Sequence, residues 1–266
     1  MTSIVIINYK NPALLRLCLS SLKRVLSNNF KHEILVVDIA STPETRNVAK
    51  EFNEIKLLTY KQNIGYTKGV NESIEASVGD YVLILNPDVV PMAKSIENLA
   101  LYLATNTDVG LVGPRLLNFD NSTQNSCFRY YTPLTIICRR SFLGRTFFGK
   151  KIVNKAMMTD KDPDKTIEAD WLMGSALMVS KKAINKVGLL DEKFFLYMSD
   201  IDWARRFWEN GLKVMYYPMA KMYHYHRRGS KGQFGLFDIF MNKQSRLHLI
   251  DAVRYFRKYG IKISNT

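Results

Sequence analysis

Four short runs of apolar, often β-branched residues constrain the fold of this chain more than any other feature. They are residues 3–7, 33–37, 55–60 and 81–85. The runs are continuous rather than alternating, which is typical of strands buried on both faces in a parallel sheet. Segments with helical spacing or helix-start residues separate them. The pattern therefore predicts right-handed βαβ units and an α/β fold, with a mostly parallel, Rossmann-like sheet flanked by helices.

Polar side chains follow three of these runs at the point where each strand should end. Asn8 follows the first and Asp38 the second, and the fourth leads into Asn86, Pro87 and Asp88. Asn, Pro and Asp favour turns, and an aspartate can also cap a helix, so each residue alone has a local explanation. Ligands of parallel sheets, however, bind beyond the carboxyl ends of the strands, so the three together favour a binding site.

Composition places the chain among ordinary globular proteins. It has 266 residues, of which 47% are hydrophobic and 23% charged, enough for one large domain or a domain with an appendage. The formal net charge of +14 is high for a small enzyme. It predicts an anionic partner: nucleic acid, a phospholipid surface or a phosphorylated substrate.

Cysteine usage and hydropathy bear on location. Cys18, Cys127 and Cys138 match neither a zinc pattern nor a disulfide framework, which favours a reducing compartment. The first residues lack the features of a signal peptide, and no apolar run approaches the ~18 residues needed to span a bilayer. We therefore expect a cytoplasmic protein that can touch a membrane surface without crossing it.

The second half of the chain is less regular but holds further polar candidates. Residues 118–168 are polar, basic and aromatic, and we expect an irregular or loosely helical insertion, followed by a strand over 172–179. Asp200 and Asp202 follow an aromatic stretch that we interpret as a strand, and one of the two has a simple explanation as a helix cap. His224 could join Asp88 in holding Mg²⁺ or Mn²⁺ beside a diphosphate.

Taken in order, these motifs resemble an inverting glycosyltransferase of family 2 with the GT-A fold, and most of all its rhamnosyltransferase-like bacterial subset. The resemblance runs from Ile4 to about Ser230. It implies donor binding by a set of residues in the first half of the chain: Asn8, Tyr9, Asp38, Asn63, Gly65, Gly69, Asn86 and Asp88. Asp38 stands where the family's aspartate contacts the nucleobase, and residues 86–88 stand where the family has its DxD metal motif.

The resemblance also assigns roles farther along the chain. Trp171 and Gly174 lie in a segment similar to the one that faces the donor sugar and the acceptor, and Ser199 would adjoin them. Asp200 stands at the position of the catalytic base, and His224 at that of the metal-binding histidine, with Asp88 as the other metal ligand. The cofactor implied is Mg²⁺ or Mn²⁺.

Three departures from the family pattern affect these roles. Asn86 replaces the first aspartate of DxD, a form that the rhamnosyltransferase-like subset also uses. Ile39 replaces a polar residue after Asp38, and Ser199 replaces the glutamate before the base. The aspartates that the mechanism requires are present, so a non-catalytic relative is the less favoured alternative.

The resemblance implies a donor, an acceptor and a division of the chain. The donor would be dTDP-rhamnose or a UDP-sugar, and the acceptor a glycan or a polyprenyl-diphosphate-linked sugar. We expect a catalytic domain over residues 1–232, with a donor half at about 1–115 and an acceptor half at about 116–232. Residues 233–266 would form a C-terminal amphipathic helical extension, either packed on the domain or lying on anionic lipid. Arg227, Arg228 or Lys231 could grip the diphosphate or belong to a solvated loop.

Two rivals explain less of the sequence. A nucleic-acid-binding protein would account for the pI of about 9.6, but no recognisable nucleic-acid module is present and the acidic strand ends would repel phosphate. A sugar nucleotidyltransferase should carry a glycine-rich loop after the first strand, where this chain has residues 7–12 without a glycine.

Overall fold

The computed structural model describes residues 1–225 and 242–261. Its described helices and strands alternate in the first half of the chain, as the apolar runs predict. The strands are β1 Thr2–Asn8, β2 His32–Asp38, β3 Ile55–Thr59, β4 Tyr81–Leu85, β5 Val89–Pro91, β6 Val109–Leu117, β7 Cys127–Phe128, β8 Ile167–Glu168, β9 Trp171–Leu172, β10 Ala176–Ser180 and β11 Lys213–His224. The helices are α1 Pro12–Val25, α2 Pro43–Lys50, α3 Tyr66–Ala76, α4 Ser95–Thr105, α5 Pro133–Arg140, α6 Phe147–Ala156, α7 Lys181–Val187, α8 Ser199–Glu209 and α9 Lys243–Tyr259.

A nine-stranded sheet forms the centre of the molecule, in the order β3-β2-β1-β4-β10-β6-β11-β5 with β8 added beside β11. Six strands run in one direction, namely β1, β2, β3, β4, β6 and β11, and β10, β5 and β8 run against them. The prediction of a mostly parallel α/β sheet is therefore confirmed. Two apolar cores fill the space between the sheet and the helices on its two faces.

Helix α1 shows how the sequence determines one of these cores. Asn11 caps the helix by accepting a hydrogen bond from the backbone N–H of Leu14, and Pro12 occupies the first turn, where its missing N–H is not needed. Leu15, Leu19 and Leu22 recur at helical spacing and are buried against the sheet. The helix is thus specified both by its start signal and by its apolar face.

The prediction of one strand over 172–179 is wrong. Trp171–Leu172 pairs with Cys127–Phe128 in a separate two-stranded sheet, and Ala176–Ser180 enters the main sheet after a turn. Strand β11 extends from Lys213 to His224 although Pro218 lies within it. A register shift between Tyr217 and Lys221 accommodates Pro218, which has no N–H for regular pairing.

The aromatic stretch before Asp200 is not a strand, which corrects a second expectation. Residues 192–198 form turns and bends, and Asp200 lies in the first turn of α8, which begins at Ser199. The insertion at 118–168 is more ordered than expected, since it contains α5, a 3₁₀ turn at Phe142–Arg145, and α6.

Helix α9 packs on the domain through Ala252 and Tyr255, which are buried. Helical spacing predicts an apolar face of Leu249, Ile250, Val253 and Phe256. Phe256 is partly buried against the core, whereas the other three remain more than 40% exposed. Across the described parts of the chain, no helix has the length and hydropathy needed to cross a bilayer. The predicted domain boundary at residue 232 and the candidate cations Arg227, Arg228 and Lys231 lie outside the described residues.

Two leucines of α1 provide a matched test of the core. Leu22 is completely buried, whereas Leu17 in the same helix is 42% exposed. We expect Leu22→Ala to lower the free energy of unfolding by about 2–5 kcal/mol, because it removes buried methyl groups and leaves a cavity. Leu17→Ala should change it by less than about 0.5 kcal/mol. Urea denaturation of the two variants measures the difference, and equal losses would contradict this placement of α1.

Candidate active site

Sheet register brings Asp88 and His224 together. Asp88 ends the turn after β4, and β5 then pairs antiparallel with the end of β11, placing Val89 opposite His224. The backbone N–H of Tyr225 donates to the carbonyl of Asp88 at 2.9 Å. As a result, Nε2 of His224 lies 3.7 Å from Oδ2 of Asp88, although the two residues are far apart in the sequence.

Gln124 fixes which ring nitrogen of His224 faces Asp88. Nε2 of Gln124 must be the donor to the backbone carbonyl of His224, at 2.8 Å, because a carbonyl only accepts. Oε1 of Gln124 therefore accepts from Nδ1 of His224, 2.9 Å away. In the neutral ring this leaves Nε2 unprotonated and directed toward Asp88, the form that ligates metals. The sequence motifs gave no indication of Gln124.

Asp88 has the properties of a group that awaits a ligand. Its Oδ1 is buried and has no hydrogen-bond partner among the described residues. Burial raises the pKa of the Asp88 carboxyl to about 6, against the lowering effect of backbone hydrogen bonding. A carboxylate oxygen without a partner and a nearby imidazole nitrogen fit a divalent cation that takes its remaining ligands from phosphate and water. No group of three or more His, Cys, Asp or Glu side chains suited to a metal occurs within residues 1–225 and 242–261.

A second carboxylate, Asp200, is held close to the β4 turn. The backbone N–H of Asn86 donates to the carbonyl of Ser175 at 2.9 Å, which extends the β4–β10 pairing beyond the strands. The preceding N–H, that of Gly174, donates to Oδ2 of Asp200 at 3.1 Å. A Cβ added at Gly174 would lie 3.3 Å from the same oxygen, so glycine permits this close approach.

Tyr66 joins the two carboxylates. Its hydroxyl donates to the carbonyl of Gly174 at 2.6 Å and so orients the peptide segment whose N–H contacts Asp200. Burial raises the pKa of Tyr66, and the carboxylates of Asp200 and Asp88 raise it further. Both carboxylates thus act on one hydroxyl, as expected if they share a cleft.

The Asp200 carboxyl is arranged to take up a proton near neutral pH. Burial raises its pKa to about 6, although N–H donors from Gly174 and Ile201 partly oppose the shift. A partly buried carboxylate with two backbone donors can still accept a hydrogen bond from a further donor. Such a group can serve as a general base for a hydroxyl placed against it.

The ends of β1 and β2 form a separate polar pair. Asn8 and Asp38 lie opposite each other in the parallel register, and Nδ2 of Asn8 donates to Oδ1 of Asp38 at 3.0 Å. Both side chains are buried, and Oδ1 of Asn8 and Oδ2 of Asp38 have no hydrogen-bond partner among the described residues. Burial raises the pKa of Asp38, while the hydrogen bond from Asn8 lowers it. These two oxygen acceptors, one on Asn8 and one on Asp38, fit a ligand that presents N–H groups.

Gly65 and Gly69, two of the predicted donor-binding residues, are explained by close packing in this structure. Gly65 has φ +88°, and a Cβ there would lie 2.8 Å from the ring of Phe195. A Cβ on Gly69 would lie 2.6 Å from Ile39, whose buried side chain occupies the space beside α3. Asn63 supports the turn by accepting from the N–H of Gly65 at 2.9 Å. The apolar Ile39 is therefore accommodated as a core residue.

Three other residues predicted to bind donor or acceptor, Tyr9, Ser199 and Trp171, differ in exposure and contacts. Tyr9 is half-exposed at the end of β1, and Ser199 is buried at the start of α8. Trp171 stacks on Phe128, with ring centroids 4.2 Å apart, and its indole N–H donates to the carbonyl of Arg129. Trp171 thus has a complete structural role in the insertion, and its contact with a sugar stays a prediction.

Helix α9 fixes the segment that precedes Asp200. The buried carboxylate of Asp251 accepts hydrogen bonds from three consecutive backbone N–H groups at 3.0–3.4 Å, those of Phe195, Leu196 and Tyr197. This replaces the strand pairing that the aromatic stretch seemed to predict. The carbonyl of Phe195 in turn accepts from the N–H of Tyr66 at 3.0 Å. Asp251 of α9 therefore supports residues 195–197, which we call the base segment because they precede Asp200. Through Phe195 it also supports Tyr66, which directly follows Gly65.

Asp202 provides the second attachment of α9. Its buried carboxylate accepts from Nε of Arg206 at 3.0 Å within α8. It also accepts from Nζ of Lys258 at 2.6 Å and from the hydroxyl of Tyr259 at 2.8 Å. Asp202 is thus a structural anchor, whereas Asp200, two residues earlier, is directed toward Gly174.

Comparison with known proteins places the chain in a family. A sequence profile described as Glycosyl transferase family 2 matches residues 3–156. N-acetylglucosaminyl-diphospho-decaprenol L-rhamnosyltransferase of Mycobacterium tuberculosis is 29% identical over 212 residues, which cover 75% of this chain and 68% of that protein. Rhamnosyltransferase WbbL of Escherichia coli K12 is 22% identical over 192 residues, which cover 72% of this chain and 67% of WbbL.

A solved structure shows the fold. GalNAc-T7, crystallised with UDP, GalNAc and Mn²⁺, superposes with a TM-score of 0.66 at 13% identity. The match covers 85% of this chain and 43% of GalNAc-T7, so the chain spans less than half of that protein. The predicted GT-A fold is confirmed.

The attachment of α9 to residues 195–197 can be tested without an activity assay. Asp251→Asn removes the negative charge and one acceptor oxygen, so the amides of Phe195, Leu196 and Tyr197 should exchange hydrogen faster. The free energy of unfolding should fall by about 2 kcal/mol, since hydrogen bonds to charged groups are the stronger ones. Hydrogen–deuterium exchange with mass spectrometry measures the first effect and urea denaturation the second.

Asp191→Asn is the matched control for this variant. Asp191 also pairs with α9, through Lys258 at 2.8 Å, but its side chain is not bonded to residues 195–197. Unchanged exchange at those three amides in Asp251→Asn would show that α9 does not hold the segment.

Proposed function

The chain belongs to glycosyl transferase family 2, and we propose that it is an inverting transferase of cell-surface polysaccharide synthesis. It would move a sugar from a nucleoside diphosphate to a hydroxyl of a glycan or of a lipid-linked acceptor. The observation that carries the proposal is the placement of two partly buried carboxylates around Tyr66. Asp200 accepts from the N–H of Gly174, the carbonyl of Gly174 accepts from Tyr66, and the charges of Asp200 and Asp88 both raise the pKa of Tyr66. Each carboxylate has a pKa of about 6, raised by burial.

Asp200 is the proposed general base. It would accept the proton of the acceptor hydroxyl while that oxygen bonds to the anomeric carbon of the donor sugar. The bond between the anomeric carbon and the diphosphate breaks in the same step, and its electron pair leaves with the nucleoside diphosphate. A single displacement from the opposite face inverts the anomeric configuration. Gly174 supports this role because its N–H keeps one oxygen of Asp200 in place.

Asp88 and His224 are the proposed ligands of a divalent cation. The buried oxygen of Asp88 without a partner and the unprotonated Nε2 of His224 support this assignment. Mg²⁺ or Mn²⁺ held there would stabilise the negative charge of the diphosphate leaving group. Gln124 would keep the ring of His224 in the ligating tautomer. Asn86, one residue before the Pro87-Asp88 turn, is the further candidate for contact with this part of the donor.

Asp38 and Asn8 are the proposed contacts of the nucleobase. Their acceptor oxygens suit the imide N–H of thymine, present in dTDP-rhamnose, or of uracil, present in UDP-sugars. Tyr9, Asn63, Gly65 and Gly69 would shape the same donor site. Since the side chain of Asp38 is buried in this structure, donor binding must open the space above it.

The relatives favour a particular sugar and acceptor. The names of the mycobacterial and Escherichia coli relatives both specify rhamnosyl transfer, and the mycobacterial name also specifies a diphospho-decaprenol carrier. Rhamnose from dTDP-rhamnose is therefore our first choice, and a UDP-sugar is the alternative. Trp171, Gly174 and Ser199 are the proposed contacts of the sugar or acceptor. The reaction would take place in the cytoplasm, at or near the inner face of the cell membrane.

Two variants separate the proposed roles of the carboxylates. We expect Asp200→Asn to bind donor and still lose transfer by at least about a hundredfold, the range of general-base contributions. In the wild type, Mn²⁺ should increase the rise in melting temperature that dTDP or UDP produces, and Asp88→Asn should lose this increase. A thermal-shift screen of nucleoside diphosphates and sugar nucleotides with and without Mn²⁺ measures binding, and release of nucleoside diphosphate with an acceptor measures transfer.

Asp191→Asn, which changes a carboxylate away from the site, should behave like the wild type in both assays. Normal turnover by Asp200→Asn would refute the base assignment. An equal response of the wild type and Asp88→Asn to Mn²⁺ would refute the metal assignment.

The raised pKa of Asp200 predicts how activity depends on pH. The base must be ionised, so kcat should fall about tenfold per pH unit below a pH near 6. Folding stability depends on pH in the opposite direction to kcat. Because the folded pKa lies above that of an unfolded aspartate, about 3.9, the contribution of Asp200 to stability is present at low pH and is lost as the pH rises through 6. Rates measured between pH 5 and 8 and thermal melting measured between about pH 4 and 8 should therefore separate loss of the base from unfolding. A flat rate profile would contradict the assignment.

A further inference from the structure

Three exposed phenylalanines belong to two elements of the insertion between β7 and β8, the 3₁₀ turn and α6, which contact each other. Phe142 in the 3₁₀ turn is 75% exposed, and Phe147 and Phe148 at the start of α6 are 84% and 77% exposed. Large aromatic side chains this exposed are unusual on a soluble surface and mark sites of interaction when they cluster. We call α5, the 3₁₀ turn and the first turn of α6, with these three rings, the insertion surface.

The insertion surface is also uniformly positive. No Asp or Glu occurs from residue 121 to residue 159. The same stretch contains seven cationic side chains, namely Arg129, Arg139, Arg140, Arg145, Lys150, Lys151 and Lys155. Arg145, Lys150 and Lys151, which lie closest to the phenylalanines in sequence, are exposed. A surface of this charge suits a partner that is anionic throughout.

The exposed rings are carried by well-anchored elements. Thr132 caps α5 in a reciprocal capping box, and Thr146 caps α6 by accepting from the N–H of Gly149 at 3.1 Å. The inner faces of the two helices bury Cys138 and Ala156. Since the small residues face inward and the phenylalanines outward, the elements hold the rings in the solvent.

We propose that the insertion surface docks on the anionic face of a phospholipid bilayer. The phenylalanine rings would enter the interfacial layer, and the cations beside them would lie among the lipid headgroups, as in interfacial amphipathic segments. The long stems of lysine and arginine allow their charges to remain in the headgroup layer while the rings go deeper. The partner is a lipid surface rather than a single lipid molecule.

Helix α9 also has exposed apolar residues close in sequence to one that lies near α5. Burial lowers the pKa of His248 to about 4, and the nearby guanidinium groups of Arg140 and Arg139 lower it further, so α5 and α9 adjoin. The residues after His248 include Leu249 and Ile250, which are 44% and 45% exposed. Exposed apolar side chains of α9 thus follow a residue that lies near α5.

The choice of a bilayer over nucleic acid rests on the proposed function. A lipid-linked acceptor would be presented at a membrane, whereas the proposed reaction gives nucleic acid no role. Aromatic and basic groups also bind single-stranded nucleic acid through stacking in a groove, so this alternative is an outcome of the test.

Sedimentation with phospholipid vesicles tests the proposal without donor or acceptor. The wild-type protein should bind vesicles that contain phosphatidylglycerol and should bind much less to vesicles of phosphatidylcholine alone. Phe142→Ser/Phe147→Ser/Phe148→Ser should weaken binding by at least about tenfold, because it removes the inserted apolar groups. Arg145→Gln/Lys150→Gln/Lys151→Gln should weaken it comparably and reduce its dependence on salt.

The control is Val78→Ser/Leu101→Ser, which removes apolar side chains that are 67% and 63% exposed elsewhere on the domain. It should bind vesicles like the wild type, and thermal melting should show that every variant folds. Transfer to a soluble acceptor by the phenylalanine variant should be unchanged, so failure of docking and failure of the proposed function are distinguishable.

Several results would overturn the proposal. One is the absence of wild-type binding to anionic vesicles, and another is equal binding by the wild type and the phenylalanine variant. A third is a concentration-dependent dimer that the phenylalanine variant abolishes, which would assign the surface to a second copy of the chain. The last is binding to single-stranded RNA that outcompetes the vesicles and depends on the same three rings.

Discussion

The antiparallel pairing of β10 with β4 is the constraint on which the candidate site depends. Leu85 faces Ala176 in this register, and the bond from Asn86 to Ser175 continues it past the strand ends. The β4 turn, which leads to Asp88, is thereby held beside the peptide that contacts Asp200. Because side chains alternate along a strand, a slip of one residue would turn every side chain of β10 to the opposite face and separate the two carboxylates.

Four carboxylates with buried atoms fall into two groups. Asp202 and Asp251 each accept at least three hydrogen bonds, and both join α9 to the domain. Asp38 and Asp88 each retain a buried oxygen without a partner among the described residues. Buried polar groups in folded proteins are almost always satisfied. The incompletely satisfied carboxylates therefore support the proposed ligand sites, whereas the satisfied ones hold α9 to the domain.

Much of the sheet and part of the site were predictable from sequence. Continuous apolar runs are a strong signal of buried strands, and polar residues at parallel strand ends must share one edge, so Asn8 and Asp38 were found together. The contacts of Gln124 and Asp251 were not predictable, because each depends on partners more than fifty residues away that no periodic pattern connects. The aromatic stretch before Asp200 was misjudged for the same reason: its backbone donors bond to a side chain from α9 instead of a neighbouring strand.

The contacts of α9 have a consequence for biosynthesis. During translation, strands β1 to β4 and the residues up to Asp200 emerge before Asp251 does. Three backbone donors of the base segment have no acceptor until that aspartate arrives. Residues 195–197 thus gain these three hydrogen bonds only after helix α9 has been synthesised.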